Sequence, residues 1–297
     1  MITGDRSFGP GNQRYELQRS IVEELRVLYW GRGDLWFRVP EGQFDVVTSQ
    51  DPFARGLLAW YVARKKGARL NIQVHADLSA QGFLRRALAR FVLRRADSIR
   101  VVSGTVKDQV LRFGVRGKVS VLPVFVDVEA FRALARKPHE GKVLLWIGRF
   151  EPEKNPFEAL RILKEVRESG VAARLIMLGA GSLAAPLREQ AEGLPVEFPG
   201  WQDPRAYLQE ADVVISTSPH ESWGASIVEA LAAGVPVVAY DVGIAREAGA
   251  AVVPRERFVE AVVGVLRSGV RGKLMCDPLS KDAWVKLWRS SLELHTT

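Results

Sequence analysis

The sequence has few of the residues on which disulfide-stabilised, zinc-binding and membrane-spanning proteins depend. Its 297 residues include one cysteine, Cys276, so an internal disulfide and a cysteine-cluster metal site are excluded. Four histidines do not support a histidine-based metal site. No uncharged apolar run approaches the roughly 20 residues that span a bilayer, and the N-terminus shows no secretory signal pattern. We therefore expect a cytoplasmic protein.

Acidic residues are scarce in one half of the chain, although the formal net charge is only +8. Residues 1–140 carry 24 Lys and Arg against 14 Asp and Glu, whereas residues 141–297 carry 18 against 20. Within residues 51–100 the counts are 11 and 3. Such a field attracts anionic partners, which we expect to contact the N-terminal half. Nucleic acid is not expected among them, because no recognised nucleic-acid-binding motif occurs.

The most informative stretch is residues 213–247. Residues 213–215 form an apolar β-branched run, typical of a buried parallel strand. A helix is predicted to begin at residues 224–226 and to end at Gly234, because Pro236 prevents it from resuming before the next strand. The first amides of such a helix attract an anion. The pattern therefore predicts an anion site after the buried strand.

Two carboxylates flank this predicted anion site. Glu221 lies in the preceding loop, and Glu229 lies further along the helix. A carboxylate on each side of a phosphate site suits the hydroxyls of a sugar and of a ribose. The alternative is an ordinary strand-helix-strand unit whose two glutamates are surface residues.

Strands and helices alternate along the whole chain, which is typical of doubly wound α/β domains. In the N-terminal half, His75 and Asp77 stand at the carboxyl end of a strand predicted over residues 69–75. Open α/β sheets bind ligands at that edge. A short predicted first strand is followed by a Gly/Pro cluster that includes Gly9 and Gly11.

The second domain is predicted to open with the strand Lys142–Ile147, followed by a loop containing Gly148, Arg149 and Lys154. Fixed cations in such a loop can stabilise negative charge that develops on a bound group. A later turn, residues 179–184, fits the dinucleotide pattern G-x-G-x-x-A. It does not follow the first strand of the domain, where that fingerprint belongs, so NAD binding is not expected.

Together these motifs resemble those of glycosyltransferase family four, a family of retaining enzymes with the GT-B fold. Glu221 and Glu229 match its Glu-x7-Glu signature, and residues 148–154 match its Gly-Arg…Glu-Lys loop. Further matching positions are Gly224, Ala230, Gly234, Pro236, Val237, Val238, Gly243 and Glu247. Pro123, Asp127 and Phe131 match the segment that crosses between the family's domains.

The resemblance implies an α/β protein of the GT-B class, with two Rossmann-like doubly wound domains facing across a cleft. We expect residues 1–135 to form the acceptor-side domain and residues 136–280 the nucleotide-sugar domain. Residues 281–297 would form a C-terminal helix that packs back toward the first domain. The implied activity moves a hexose-type sugar, with retention, from a nucleoside-diphosphate sugar to an acceptor hydroxyl on a glycan, glycolipid or small molecule. UDP and GDP are the expected nucleotides.

Individual residues receive roles from the same resemblance. The implied catalytic residues are Arg149, Lys154, Glu221 and His75. The implied donor-binding residues are Glu229, Gly148, Gly224, Ala225, Ser226, Trp201 and Gly179. The implied acceptor-side residues are Gly9, Gly11 and Asp77. We expect no cofactor and no metal, because the chain has no Asp-x-Asp motif and two cations are placed to neutralise the diphosphate.

Several assignments have alternatives. The Gly/Pro cluster is also typical of a flexible terminal turn. His75 could instead be a structural histidine in a loop or at the edge of the core. Trp201 could instead be a buried core tryptophan. A GT-B hydrolase, epimerase or phosphorylase would use the same donor cleft, and product analysis with and without acceptor separates these reactions. A non-catalytic subunit that binds sugar nucleotides is a further alternative, which measurable donor turnover would exclude.

A basic amphipathic helix is predicted over residues 83–95. Its apolar residues share one face at helical spacing: Phe83, Leu84, Ala87, Leu88, Phe91 and Val92. We expect that face to pack on its own domain and to leave four basic side chains outside: Arg85, Arg86, Arg90 and Arg94. The basic face would attach the protein to an anionic membrane surface. Alternatively, these arginines form internal ion pairs or only keep the protein soluble.

Overall fold

The computed structural model describes residues 1–6, 8–31 and 37–293. The chain divides into two compact units, one formed by Met1–Phe125 with Leu279–Thr297 and the other by Val126–Pro278. The division at Phe125 precedes the boundary predicted after residue 135. Each unit is a parallel sheet covered by helices, which confirms the predicted fold class of the two domains.

Over residues 1–6, 8–31 and 37–293, the sheet of the first unit has six parallel strands. They are β1 (Ile2–Thr3), β2 (Leu28–Tyr29), β3 (Val46–Ser49), β4 (Arg69–Val74), β5 (Ser98–Val101) and β6 (Lys118–Val121), in the order β2-β1-β3-β4-β5-β6. The chain moves from β1 to β2 on one side and then to β3 on the other. The carboxyl ends of β1 and β3 therefore flank the topological switch point of this sheet, where open α/β sheets bind ligands.

The described residues of the first unit form five helices. They are α1 (Gln13–Arg19), α2 (Ala54–Lys66), α3 (Phe83–Leu93), α4 (Gly104–Leu111) and, from the end of the chain, α12 (Lys281–Ser291). The last helix buries Trp284, Trp288 and Leu292 against Leu17 and Ile21. This apolar cluster makes α12 part of the first unit. Leu294, where the sequence predicted the end of this helix, lies outside the described residues.

The sheet of the second unit also has six parallel strands. They are β7 (Lys142–Ile147), β8 (Ala173–Leu178), β9 (Val196–Gly200), β10 (Val213–Ser216), β11 (Val237–Ala239) and β12 (Ala251–Val252), in the order β12-β11-β10-β7-β8-β9. Here the chain goes from β7 outward through β8 and β9 and returns to the other side of β7 as β10. The switch point of this sheet lies between β7 and β10.

The second unit contains the remaining helices. They are α5 (Val128–Arg132), α6 (Pro156–Glu168), α7 (Ala184–Gln190), α8 (Pro204–Leu208), α9 (Ala225–Ala232), α10 (Ala245–Ala248) and α11 (Phe258–Ser268), with short 3₁₀ turns at Pro152–Lys154 and Arg255–Arg257. Val128 and Phe131 on α5 are buried, and α5 packs against α9. Because α5 is buried within this unit, the unit begins at Val126, before the start at residue 136 that the sequence predicted.

The predicted orientation of α3 is wrong. Its buried residues are Ala89, Val92 and Leu93, whereas Phe83 and Leu84 are 82% and 80% exposed. Helical periodicity shows which residues share a face, but the length of helix that the domain covers decides which of them are buried. Only the C-terminal part of α3 is covered. Its first turn therefore presents two large apolar side chains to solvent.

Candidate active site

The loops after β7 and β10 meet at the switch point of the second unit. Lys154, from the loop after β7, places its Nζ 2.5 Å from Oε1 of Glu221, from the loop after β10. Their side chains are only 22% and 15% exposed. Two of the four residues predicted to be catalytic thus form a shielded ion pair where this fold class binds ligands.

Buried hydrogen bonds hold the backbone of the Lys154 loop. The hydroxyl of Thr217, directly after β10, accepts a bond from Trp146 Nε1 at 2.8 Å. It also lies 3.1 and 2.9 Å from the carbonyl oxygens of Lys154 and Asn155. Asn155 adopts a left-handed conformation with φ of 47°, and Pro156 then starts α6. Thr217 therefore fixes the lysine-bearing loop to the neighbouring strand end.

Arg149 occupies the outer part of the same loop. Its Nη2 lies 2.7 Å from Oε1 of Glu153, and both side chains are more than half exposed. An ion pair this accessible is weak in water. The guanidinium of Arg149 can therefore exchange Glu153 for an incoming anion at little cost.

Two glycines let neighbouring strand ends approach closely. A Cβ on Gly179 would lie 1.8 Å from the carbonyl oxygen of Gly148, and one on Gly181 would lie 2.4 Å from that of Phe150. The glycines of the G-x-G turn are thus required by the contact between the loops after β7 and β8. This steric requirement explains the turn without a dinucleotide.

Helix α9 begins beside this ion pair with unsatisfied backbone donors. Gly224, at its N-cap, has φ of 105° and supplies no side-chain cap. Ala225 and Ser226 follow in its first turn and are half-buried. The amides of an uncapped first turn and the helix dipole favour an anion. A loop contact supports this turn, since Ile244 donates its amide to the Trp223 carbonyl at 2.8 Å.

Glu229 lies on α9 and is half-buried. Within the described residues its carboxylate has no hydrogen-bond or ion-pair partner. Burial, and then the charge of Asp203, raises the pKa of Glu229 to about 7. A shielded carboxylate without a protein donor is suited to accept hydrogen bonds from the hydroxyls of a ligand.

Trp201 follows β9 and is 69% exposed. The interpretation of this residue as a core tryptophan is therefore wrong. An exposed indole is free to stack on a planar group such as a nucleobase, so its predicted role near the donor base stays a prediction.

His75 lies in the first unit, directly after β4. Its Nε2 is 3.3 Å from Oε1 of Gln73. Burial, followed by the positive charges of Arg100 and Arg14, lowers the pKa of His75 to about 3. The imidazole is therefore neutral at physiological pH.

Asp77, two residues further on, is engaged by its own loop. Its Oδ1 accepts hydrogen bonds from the amide and hydroxyl of Ser79, at 2.8 and 2.6 Å, and from Nε2 of Gln109 at 2.8 Å. Burial opposes ionisation of Asp77, but these hydrogen bonds outweigh it and lower the pKa of the carboxyl group. Asp77 shapes the turn that follows His75.

Gly9 and Gly11 lie in the loop that follows β1. Phe8 is fully buried, and the Tyr29 hydroxyl donates a hydrogen bond to the Phe8 carbonyl at 2.6 Å. Gly11 has φ of 86° and donates its amide to Oε1 of Glu16 at 3.1 Å. The structure does not describe Ser7. The other residues of this loop are held by these contacts at the switch point of the first sheet.

Sequence reasoning missed three residues that support the site: Thr217, Asn155 and Gln73. The signal for Thr217 was its place directly after a buried strand. For Asn155 it was the Asn-Pro pair at the start of a helix. Gln73 carried a weaker signal, because polar and apolar residues alternate along β4 and Gln73 is one of two buried polar residues in it.

The described part of the chain contains no group of three or more His, Cys, Asp or Glu residues arranged to hold a metal ion. None of its helices is both long and apolar enough to cross a bilayer.

Comparison with known families identifies the chain. A family model described as Glycosyl transferases group 1 matches residues 141–268, and one described as Glycosyltransferase Family 4 matches residues 8–130. The chain belongs to glycosyltransferase family four. The two matched segments correspond to the two α/β units of this family-four chain.

Solved structures show the same fold. TarM from S. aureus superposes with a TM-score of 0.63 at 15% identity, over 84% of this chain and 51% of its own. HepE from Anabaena, in complex with UDP and glucose, gives a TM-score of 0.64 at 16% identity, over 84% and 73%. At these identities the likeness shows the GT-B fold alone.

Curated relatives are more similar in sequence. A protein of Mycobacterium tuberculosis named GDP-mannose-dependent alpha-(1-6)-phosphatidylinositol dimannoside mannosyltransferase is 33% identical over 195 residues, covering 62% of this chain and 51% of the relative. The alpha-monoglucosyldiacylglycerol synthase of Streptococcus pneumoniae is 27% identical over 229 residues, covering 67% and 52%. The family-four chain thus spans about half the length of these two relatives.

Proposed function

We propose that this family-four chain transfers a sugar from a nucleoside-diphosphate sugar to an acceptor hydroxyl, with retention of the anomeric configuration. The observation that carries the proposal is the shielded Lys154–Glu221 pair at the switch point of the second unit. Beside it stand the uncapped start of α9 and the unpartnered carboxylate of Glu229. A cation, free amides and two carboxylates in one place match the diphosphate and hydroxyls of such a donor.

The diphosphate is the group that these cations bind. An ammonium group has three N–H donors, so Lys154 can donate to a phosphate oxygen while it keeps its bond to Glu221. Arg149 exchanges its exposed partner Glu153 for the second phosphate, and the α9 amides bind from the other side. The negative charge that grows on the leaving diphosphate is thereby stabilised in a fixed, partly desolvated setting.

The carboxylates receive the hydroxyl groups of the donor. Glu221, held by Lys154, accepts hydrogen bonds from the sugar, and Glu229 accepts them from the ribose. In the transfer step the bond between the anomeric carbon and the diphosphate oxygen breaks. A bond from the acceptor oxygen forms on the same face, and the acceptor proton passes to the leaving diphosphate. This balance requires no resident cofactor and no metal.

The names of relatives and of a structural neighbour guide the choice of nucleotide and acceptor. One relative is named as GDP-mannose-dependent, and a structural neighbour binds UDP and glucose. GDP- and UDP-hexoses are therefore the first donors to test. Both relatives carry lipid acceptors in their names, which favours a glycolipid acceptor over a free glycan or small molecule.

The test combines donor binding with product analysis. UDP-, GDP-, ADP- and dTDP-sugars are screened by thermal shift, because a ligand of the native state raises its melting temperature. The best donor is then incubated with and without lipid acceptors, and the linkage of the product is read by NMR. We expect a product with the anomeric configuration of the donor. Release of free sugar at the same rate without acceptor would show a hydrolase, and an inverted linkage would refute retention.

We further propose that α3 attaches the protein to an anionic membrane surface. Within the described residues, no acidic side chain pairs with Arg85, Arg86, Arg90 or Arg94, which argues against the internal ion pairs considered above. Phe83 and Leu84 project from the same helix. Large apolar side chains beside arginines suit the boundary between headgroups and acyl chains. Such attachment would bring the enzyme to a lipid acceptor.

A further inference from the structure

The loop after β11 packs against the loop that carries Glu221. Strands β10 and β11 pair in parallel, so the loops that follow them start side by side at the carboxyl edge of the second sheet. The β11 loop, residues 240–244, ends at Ile244, which donates its amide to the Trp223 carbonyl at 2.8 Å. A backbone hydrogen bond therefore joins the β11 loop to the residue just before the N-cap of α9.

Glycine at position 243 makes this contact possible. Gly243 has φ of 54°, and a Cβ added to it would lie 2.2 Å from the carbonyl oxygen of Trp223 and 3.1 Å from Cβ of Glu221. Real Cβ atoms essentially never approach another atom to less than 3.0 Å. A side chain at this position would therefore displace the backbone of the loop that carries Glu221.

The other end of the β11 loop is anchored in the core by Tyr240. Its hydroxyl donates to Oε1 of Glu158 at 3.2 Å, and its ring centroid lies 5.1 Å from that of Phe258. Glu158 is 4% exposed and also accepts hydrogen bonds from Arg161 and Arg255, at 2.6 and 3.0 Å. Burial, and then the charge of Glu158, raises the pKa of Tyr240 to about 12, so its hydroxyl keeps the proton that it donates. The β11 loop is thus a fixed support for its neighbour.

The peptide group between Trp223 and Gly224 converts this contact into an orientation. The group is planar and trans, so its N–H points opposite to its carbonyl. With the Trp223 carbonyl bound by Ile244, the Gly224 N–H points away from the β11 loop. Gly224 is buried, and among the described residues its N–H has no acceptor. A buried N–H group without an acceptor is costly, and an anion bound at the start of α9 would remove that cost.

We propose that Gly243 and Ile244 are positioning residues that hold the Gly224 amide as a hydrogen-bond donor to a phosphate group. That this phosphate belongs to a nucleotide sugar rests on the function proposed above. The orientation itself rests only on the contact between the two loops. A shift of about 1 Å at a reacting group can lower a rate about a hundredfold, so the fit at Gly243 is expected to matter although this residue touches no ligand.

The Gly224 amide can be followed by NMR with little overlap. Two glycines in the sequence directly follow a tryptophan, Gly31 and Gly224. Protein made with ¹³C-carbonyl tryptophan and ¹⁵N-glycine therefore gives two carbonyl-filtered amide signals. Gly31→Ala assigns them, because a Cβ on Gly31 would meet no atom within 4 Å. The probe is inorganic pyrophosphate, which we expect to move the Gly224 signal of the wild type and to leave the Gly31 signal in place.

Gly243→Ala should raise the dissociation constant read from the Gly224 signal at least about tenfold, because a hydrogen bond to a charged group is misaligned. The matched control is Gly193→Ala. Gly193 also has a positive φ, 78°, but a Cβ there would meet nothing within 4 Å. This control introduces comparable backbone strain and should bind pyrophosphate as the wild type does.

A second variant and a wild-type measurement complete the test. Gly243→Asn replaces Gly243→Ala if that protein does not fold, because Asn adopts the left-handed region more readily while its Cβ meets the same carbonyl. In the wild type, the Ile244 amide should exchange its hydrogen at least about tenfold more slowly than an unprotected amide. An unprotected Ile244 amide, a wild-type Gly224 signal that pyrophosphate does not move, or an unchanged dissociation constant in a folded Gly243 variant would each overturn the proposal.

None of these measurements requires turnover. Pyrophosphate binding that depends on Gly243, in a chain without transferase activity, would refute the proposed function and leave the positioning role standing. Sugar transfer by a chain whose Gly224 signal does not respond to pyrophosphate would refute the positioning role and leave the proposed function standing.

Discussion

Lys154 and Glu221 stand 67 residues apart in the sequence, yet their Nζ and Oε1 atoms lie 2.5 Å apart at the switch point of the second sheet. The pair gives the ligand-free protein a balanced charge where the donor diphosphate is proposed to bind. It also orients Glu221, the residue proposed to accept hydrogen bonds from the sugar hydroxyls. Each residue therefore has a structural and a functional effect, and mutations can separate the two.

Lys154→Met should lower kcat at least about tenfold, because a fixed cation at the leaving group is lost. It should also destabilise the fold by about 1–3 kcal/mol, since Glu221 is left shielded without its partner. Transfer rate and urea unfolding measure the two effects. Wild-type turnover by a folded Lys154→Met protein would remove this residue from the mechanism.

The double variant Lys154→Met with Glu221→Gln is the control for stability. Removing both charges should recover part of the lost unfolding free energy, since contacting residues couple by about 0.5–3 kcal/mol. Turnover should stay low because both functional groups are gone. If stability and activity recovered together, the loss in the single variant would be a folding defect.

Glu229→Gln should remove the pH dependence of stability that Glu229 causes, because an amide does not titrate. Because the pKa of Glu229 is raised to about 7 from 4.5, its contribution favours the folded state at pH values below about 4.5 and is lost as the pH rises through about 7. The variant should thus match the wild type at pH 4 and exceed it by about 1–3 kcal/mol at pH 8.5. Urea unfolding at both pH values measures this difference.

The same change should weaken binding of the donor at least about tenfold, because a carboxylate that accepts from the ribose is replaced by an amide. Glu192→Gln, at an exposed position, is the matched control and should alter neither property. If the free energy of unfolding changed equally with pH in the wild type and in Glu229→Gln, the pKa of Glu229 would not be raised. Unchanged donor affinity would place the ribose elsewhere.

Transfer should proceed without a divalent metal. Arg149, Lys154 and the α9 amides are proposed to neutralise the diphosphate, and the sequence has no Asp-x-Asp motif to bring a metal to it. Treatment with EDTA followed by gel filtration should leave the initial rate within about twofold of the untreated enzyme. Loss of activity that Mg²⁺ or Mn²⁺ restores would disprove this assignment.

The order of elements, and the meeting of the loops that carry Lys154 and Glu221 at one edge of the second sheet, were predictable from the sequence. Apolar runs predict the strands, and glycines mark where the helices end. Gly148 follows β7, Glu221 lies in the loop after β10, and Gly224 directly precedes α9. Parallel strands bring such residues to one edge of a sheet. The family resemblance then supplied roles that the residues alone did not.

Features that depend on packing were not predictable. Periodicity grouped Phe83 with Val92, but only the structure shows that Phe83 is outside the covered part of α3. The role of Thr217 depends on hydrogen bonds to residues distant in sequence. Arg100 was counted in the basic excess of residues 51–100, although it is buried and packs against Trp284 and Trp288 of α12. Such contacts arise from tertiary structure, which local patterns do not encode.

The last prediction concerns the basic helix α3. Each arginine near an anionic bilayer contributes roughly 1 kcal/mol, and salt screens the attraction within a Debye length. Changing the four arginines to Gln should therefore reduce co-sedimentation with anionic vesicles at least about tenfold at low salt. The substituted residues are Arg85, Arg86, Arg90 and Arg94.

Two further variants test whether vesicle binding depends on the exposed residues of α3 or only on the net charge of the protein. Phe83→Ser with Leu84→Ser keeps every arginine and should weaken binding by loss of the exposed apolar pair. The charge-matched control changes four exposed cations of the second unit to Gln and should bind as the wild type does: Lys164, Arg246, Arg257 and Lys273. Equal partitioning onto neutral vesicles, or equal loss in the control, would refute attachment through α3. In that case a rise in acceptor KM with salt would show that the basic half of the chain binds an anionic soluble acceptor.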